Sequence, residues 1–229
     1  MGQGDWRILL HPDRRRAHEA WLDRGRTGAG RFVVEGKDLG GAMLRGAGMD
    51  GSRWTRCGFD KCSITYSDVN QSELEDCSFV RGCVAHTGFH ESRLVRCRFI
   101  DADVRRAQFW RAEIVGCDFT RALMVEIVVV QSQVSETCFH EARIGETQID
   151  HSRFVGCDFH KADLRGGTFH DTTFEDCDFS GALFEGRELK RTVFSRCTFD
   201  DCKGKPVVAG PYEIDRPEIL VAWALTDTK

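Results

Sequence analysis

The sequence predicts a repetitive all-β fold, a coil of four short sides wound around a filled interior, and three observations carry that prediction. Every position whose number ends in 4 or 9, from Leu39 to Phe199, is Leu, Ile, Val, Met, Phe or Trp. These are 33 consecutive apolar positions, an outcome with a chance of about 10⁻¹³ for one register at this composition. Fifteen of the 16 Phe sit there, Phe32 alone excepted. A second register, at numbers ending in 2 or 7, holds mostly Ala, Cys, Ser or Thr from Ala42 to Cys202, with Ile127 and Arg187 as the clear exceptions. Finally, Cys57, Cys77, Cys97, Cys117, Cys157, Cys177 and Cys197 are spaced by twenties, Thr137 fills the gap, and a Phe follows each two residues later.

Period five belongs to neither a helix nor a strand, so it marks a repeat, and four pentapeptides make one equivalent unit. The central apolar residue and the small residue two before it point inward, and the other three face out. Coils then stack through parallel strand-like hydrogen bonds at about 4.8 Å. Large side chains fill the middle of each layer, which leaves room at the corners only for small ones.

Taken in order, residues 1–36 read as an N-terminal capping segment. Pro12 to Arg24 has a helical pattern, with Pro in the first turn and Gly25 where a left-handed C-cap falls, and Trp21 and Leu22 are expected on the first coil. Residues 37–203 form the solenoid. Residues 204–229 are a linker and an apolar helix opening near Asp215, in which Ile219, Leu220, Trp223 and Leu225 cover the last coil or join a second chain.

The pentapeptides Ala162-Asp163-Leu164-Arg165-Gly166, Cys157-Asp158-Phe159-His160-Lys161 and Cys177-Asp178-Phe179-Ser180-Gly181 resemble the pentapeptide-repeat family. That resemblance, running from Lys37 to Lys203, implies a right-handed quadrilateral parallel β-helix of about eight coils between Leu39 and Cys202. It also implies a non-catalytic protein. The best-understood members look like B-DNA in size and negative charge, bind DNA gyrase or topoisomerase IV, and protect them from quinolones or peptide-like poisons. Family members dimerise through a short apolar C-terminal helix.

Composition narrows the function. A net charge of -4 and a pI of about 6.1 lack the broad basic surface that phosphate neutralisation needs, so no direct nucleic-acid binding is expected. No run of about 18 apolar residues and no export signal occur, so no membrane partner is expected and the location expected is cytoplasmic. Eleven Cys, an odd number, then read as buried, reduced core residues, with Cys83 and Cys138 out of register and more reactive. A column of thiols does not converge on one point, so no metal or other cofactor is expected. His140 and His160, twenty apart, lie on generic outward positions beside Asp158 and Asp178 without a nucleophile or phosphate loop, so no catalysis is expected.

Two outward features stand out. Ile100, Trp110, Val115, Val125, Val128 and Val130 put apolar residues where polar ones are the rule, which reads as a protein-partner face. Asp158, Asp163, Asp171, Glu175, Asp176, Asp178 and Glu185 read as an acidic surface able to imitate phosphates, as the resemblance suggests.

Overall fold

The computed structural model describes residues 12–26, 29–208 and the backbone of 212–214. Helix α1, Pro12–Asp23, sits over one end of a parallel β-solenoid of about nine turns. Its C-terminus closes as the sequence predicts. Gly25 takes φ +68°, its N–H reaches the Leu22 carbonyl at 3.0 Å, and the Arg26 N–H reaches that of Trp21 at 2.9 Å, which is a Schellman arrangement. Trp21 and Leu22 lie against Gly51, where a Cβ would come within 2.9 Å of the indole. Buried His18 accepts the Phe32 N–H at Nδ1 (3.1 Å). Its Nε2 lies 2.7 Å from the Asp50 carbonyl, so the proton belongs on Nε2 and the ring fastens helix to coil.

Each coil has four walls, one pentapeptide each. Wall one carries Val34, Trp54, Leu74 and their successors at steps of twenty, and forms a ten-stranded parallel sheet from Val33–Glu35 to Tyr212–Ile214. Wall two carries Leu39 and Phe59, and wall three Leu44 and Ile64; both are joined coil to coil by isolated bridges. Wall four carries Met49, Val69 and Phe89 on bridges and becomes a six-stranded sheet from Gln108–Trp110 to Val207–Val208. Pairing is offset by twenty residues throughout, except that Val207 pairs with Glu188 one residue early.

The solenoid therefore extends past both ends of the expected 37–203. Val34 and Phe32 join the core, Phe32 at 8% exposure against Trp54, and parallel pairing continues through 207–208 and 212–214. The break expected after Gly204 does not end the sheet, because alternation still offers wall one a strand twenty residues beyond Thr192. The expected C-terminal helix lies outside the described residues.

Inside, Phe59, Phe79, Phe99, Phe119, Phe139, Phe159, Phe179 and Phe199 stack at 4.7–5.4 Å, within 12° of parallel. The corners have a chemistry beyond smallness. Between walls two and three, each turn closes with a backbone bond, as from the Ala102 N–H to the Phe99 carbonyl at 3.0 Å, so Ala suffices. Between walls one and two, no such turn bond forms among the described residues. There the thiol of one coil donates to the central carbonyl of the coil before: Cys57 to Val34, Cys97 to Leu74, Cys177 to Phe154, at 3.5–3.7 Å. These weak S–H donors stand where the turn bond is missing and add to the parallel ladder through which the coils already pair.

At every fifth residue from Gly36 to Asp201 the backbone turns with positive φ, and only nine of these 34 corners are Gly. The others are Arg, Lys, Asp, Glu, Gln, His or Tyr, none β-branched, which is the side-chain class such a backbone tolerates least.

Candidate protein-docking walls

Register decides which outward residues meet. Neighbours on this surface differ by twenty, or by two along a wall. Of the six apolar candidates, Val115 ends wall one, Ile100 wall two and Val125 wall three, whereas Trp110, Val128 and Val130 share wall four. The Cα of Trp110 pairs directly with Val130. Trp110 is 48% exposed, with its ring edge-on to His90 at 5.9 Å, and Val128 and Val130 are half-buried above it. The structure thus brings three of the six together and distributes the rest around the rod.

The acidic candidates are distributed too. Asp163 is held by Arg165 (2.7 Å), Asp171 by Arg191, and Glu175 and Asp176 by Arg196, with Arg153 also on Glu175. The guanidinium beside each of these four carboxyls holds it below the usual carboxylate range. Asp158 and Asp178 lie on wall two and accept the N–H of His160 (2.7 Å) and Ser180 (2.9 Å). Glu185 accepts the Lys205 N–H at 3.1 Å. Most of these arginines stand 20 to 22 positions from their acids, and Arg165, two residues from Asp163, is the exception.

Wall one is the extreme case. Arg31 and Arg53 flank Glu73 (2.9 and 2.5 Å), Arg93 meets Glu113 (3.0 Å), and Arg96 spans Glu75 and Asp76 (2.6 and 2.7 Å). Arg96 keeps Asp76 below its ordinary pKa. On wall two, by contrast, Asp118, Asp158 and Asp178 bond to backbone N–H groups of their own turns rather than to arginine.

His140 and His160 stack at 5.2 Å with 6° between rings. Among the described residues no group of three His, Cys, Asp or Glu is arranged to hold a metal ion, and no helix is long and apolar enough to cross a membrane. A cavity of about 190 Å³ lies under α1, floored by Phe32, Leu39 and Leu44 and bordered by Arg15, Met43 and Arg45. All eleven Cys are free; Cys83 and Cys138 are partly exposed as expected, and so is Cys202 on the last coil. Burial pushes the Cys62 thiol up to about 12.

One feature was legible only as an exception to the small-residue register. Arg187 is fully buried, its guanidinium 4.5 Å from the Phe169 ring. It donates to the carbonyls of Leu164 (2.7 Å), Ile144 (2.7 Å) and Thr147 (2.9 Å). Room for it comes from Gly167, where a Cβ would lie 2.8 Å from the guanidinium and 2.2 Å from the Thr147 oxygen. Burial pulls the Arg187 pKa down, and the three oxygens solvate the charge in place of water.

Residues 52–129 match the family model described as a pentapeptide repeat region, and residues 149–187 that of pentapeptide repeats in nine copies. The chain is a pentapeptide-repeat protein. No curated protein matches its sequence. Among solved structures it is similar to trypsin-treated QnrB1, described as a plasmid-mediated fluoroquinolone resistance protein, at 15% identity and a TM-score of 0.55, over 86% of this chain and 97% of that one. HetL, a pentapeptide-repeat protein involved in heterocyst differentiation regulation in the cyanobacterium Nostoc sp. strain PCC 7120, matches at 14% identity and a TM-score of 0.45, over 80% of this chain and 92% of that one. At such identity the QnrB1 likeness speaks for the fold of this pentapeptide-repeat protein alone.

Proposed function

We propose that this pentapeptide-repeat protein is a non-catalytic binding module that docks a protein partner on wall four, around Trp110, Val128 and Val130. One observation carries the reading: an indole 48% exposed beside two valines, on a regular sheet with uncharged Gln108 and Gln148 at one edge of the patch and Asp150 next in the Trp110 column. Exposed aromatic residues within apolar surroundings are typical anchors of protein interfaces. The eleven free thiols fit the cytoplasmic location expected. A photo-crosslinking residue at Val128 should yield one discrete adduct in the native host, lost with Trp110→Ala, whereas the same residue at Glu113 on wall one should yield none. Equal crosslinking from both walls overturns the reading.

A second reading is favoured by a separate observation. The row Asp118, Asp158, Asp178 on wall two is not neutralised by arginine, so it retains the charge a DNA-mimicking protector of gyrase or topoisomerase IV would use. Gyrase supercoiling with a fluoroquinolone, with and without the protein, tests it; no protection by wild type refutes it. The homodimer through Ile219, Leu220, Trp223 and Leu225 rests on sequence alone, since these residues lie outside the described ones. Sedimentation equilibrium of wild type against L220E/W223E decides it.

A further inference from the structure

Wall four differs from wall one in how its carboxylates are treated. On wall one the acids meet arginines. On wall four the corner acids Glu91 and Asp171 likewise meet Arg111 and Arg191, but among the described residues the strand acids Asp68, Asp150 and Glu188 pair with no Lys or Arg; Asp150 and Glu188 face only His170, at 3.9 and 2.9 Å. Asp150 is also incompletely satisfied. Oδ2 accepts from Gln148 at 2.6 Å, but Oδ1 has no hydrogen-bond partner, and neither has the Thr168 hydroxyl nearby. A carboxylate shielded from water with one oxygen unbonded gains strongly from a cation brought to it by rotation of the carboxyl group.

These acids lie on opposite sides of the apolar centre, in neighbouring columns of the wall. The Trp110 column runs Trp110, Val130, Asp150 in direct register, so Asp150 lies two coils beyond Trp110. Asp68 lies two coils before it in the adjacent column, through Gly88 and Gln108, two residues to one side along the wall. Two coils are about 10 Å at the parallel-strand spacing. An α-helix lying along the rod axis repeats one face every seven residues, or about 10.5 Å. An extended strand spans the two acids in about six residues, but its midway residue, three from each end, then points away from Trp110.

Resting on the docking reading above, we infer that the partner of wall four is an amphipathic helix crossing the wall at a shallow angle to the solenoid axis, with an apolar residue on Trp110 and Val130 and a Lys or Arg seven residues away on each side, facing Asp68 and Asp150.

The probe is a phage-displayed library of single helices with one face randomised, selected on the intact protein, and the Kd of each selected helix is measured against variants. Expected are helices with an apolar central residue and basic residues seven before and seven after. Trp110→Ala should weaken them about 30-fold or more, and Asp68→Asn and Asp150→Asn about 5-fold each, in the range of anchor and flanking charge contacts. Asp118→Asn on wall two should change nothing, and unchanged melting of all four variants excludes misfolding. Binders that need Trp110 yet carry no basic residues and ignore both Asp→Asn changes overturn the inference while leaving the docking reading standing. If no selected helix depends on Trp110, both fall.

Discussion

Walls one and four are built from the same pentapeptide on the same core, yet strand acids such as Glu73 and Glu113 on the first are held by arginine, and Asp68 and Asp150 on the second are not. Wall one satisfies its charges internally, Arg31 and Arg53 with Glu73 and Arg96 with Glu75 and Asp76. Wall four leaves Asp68 without a basic partner and exposes Trp110. Inward residues cannot tell the two apart, because Phe109 and Ile114 are buried alike. The difference teaches that in a solenoid the core code fixes the rod and only the outward column, read at steps of twenty, distinguishes one face from another.

The largest effect should come from the shared interior. Phe119→Ala, and equally Phe109→Ala under wall four, should cost about 3 to 5 kcal/mol in denaturant unfolding, whereas outward Asp118→Asn should stay within about 0.5. Equal shifts for Phe119→Ala and Asp118→Asn would break the inward and outward assignment. Next, Arg187→Ala strips donors from three buried carbonyls and should cost about 3 kcal/mol. A neutral result there would mean that the oxygens find other donors.

Thiol labelling of the native protein should modify Cys83 and Cys138 ahead of Cys97, Cys117 or Cys157 by about tenfold or more in rate, since reaction needs an exposed thiolate; uniform labelling would contradict the burial. Acid should act mainly where arginine holds carboxylates. Their folded pKa values lie below the unfolded ones, so the stabilisation is complete above about pH 5 and is lost as pH falls through the unfolded and then the folded values. Replacing Arg96 and Arg196 by Gln should flatten the acid limb of a stability profile, and an unchanged limb would show that these pairs contribute nothing. Smallest of all, Trp110→Ala and Arg93→Ala should each shift stability by no more than about 0.5 kcal/mol, and only the former should affect binding.

Much of the fold was legible because period five is enforced at each layer by close packing, and α1 because Pro12 and Gly25 mark its ends chemically. The extra turns were missed because Val34 and Tyr212–Ile214 continue the sheet where the small-residue register has already faded. The site was half legible. Apolar outward residues were found by composition, but Ile100, Val115 and Val125 were grouped with Trp110 by closeness in sequence, whereas adjacency here follows the spacing of twenty. Likewise the acidic surface was counted without its arginines, since Asp176 and Arg196 look unrelated until one coil is laid on the next.

Arg187 changes how this rod comes apart. A stack whose coils touch only their neighbours loses them one at a time from a free end, like a zipper. Arg187 holds oxygens one coil and two coils behind it, at Leu164 and at Ile144 and Thr147, so three consecutive layers are bound to a single side chain. Fraying that enters from the C-terminal side therefore meets a step there: the coil of Arg187 cannot leave without exposing carbonyls in two layers that are still folded.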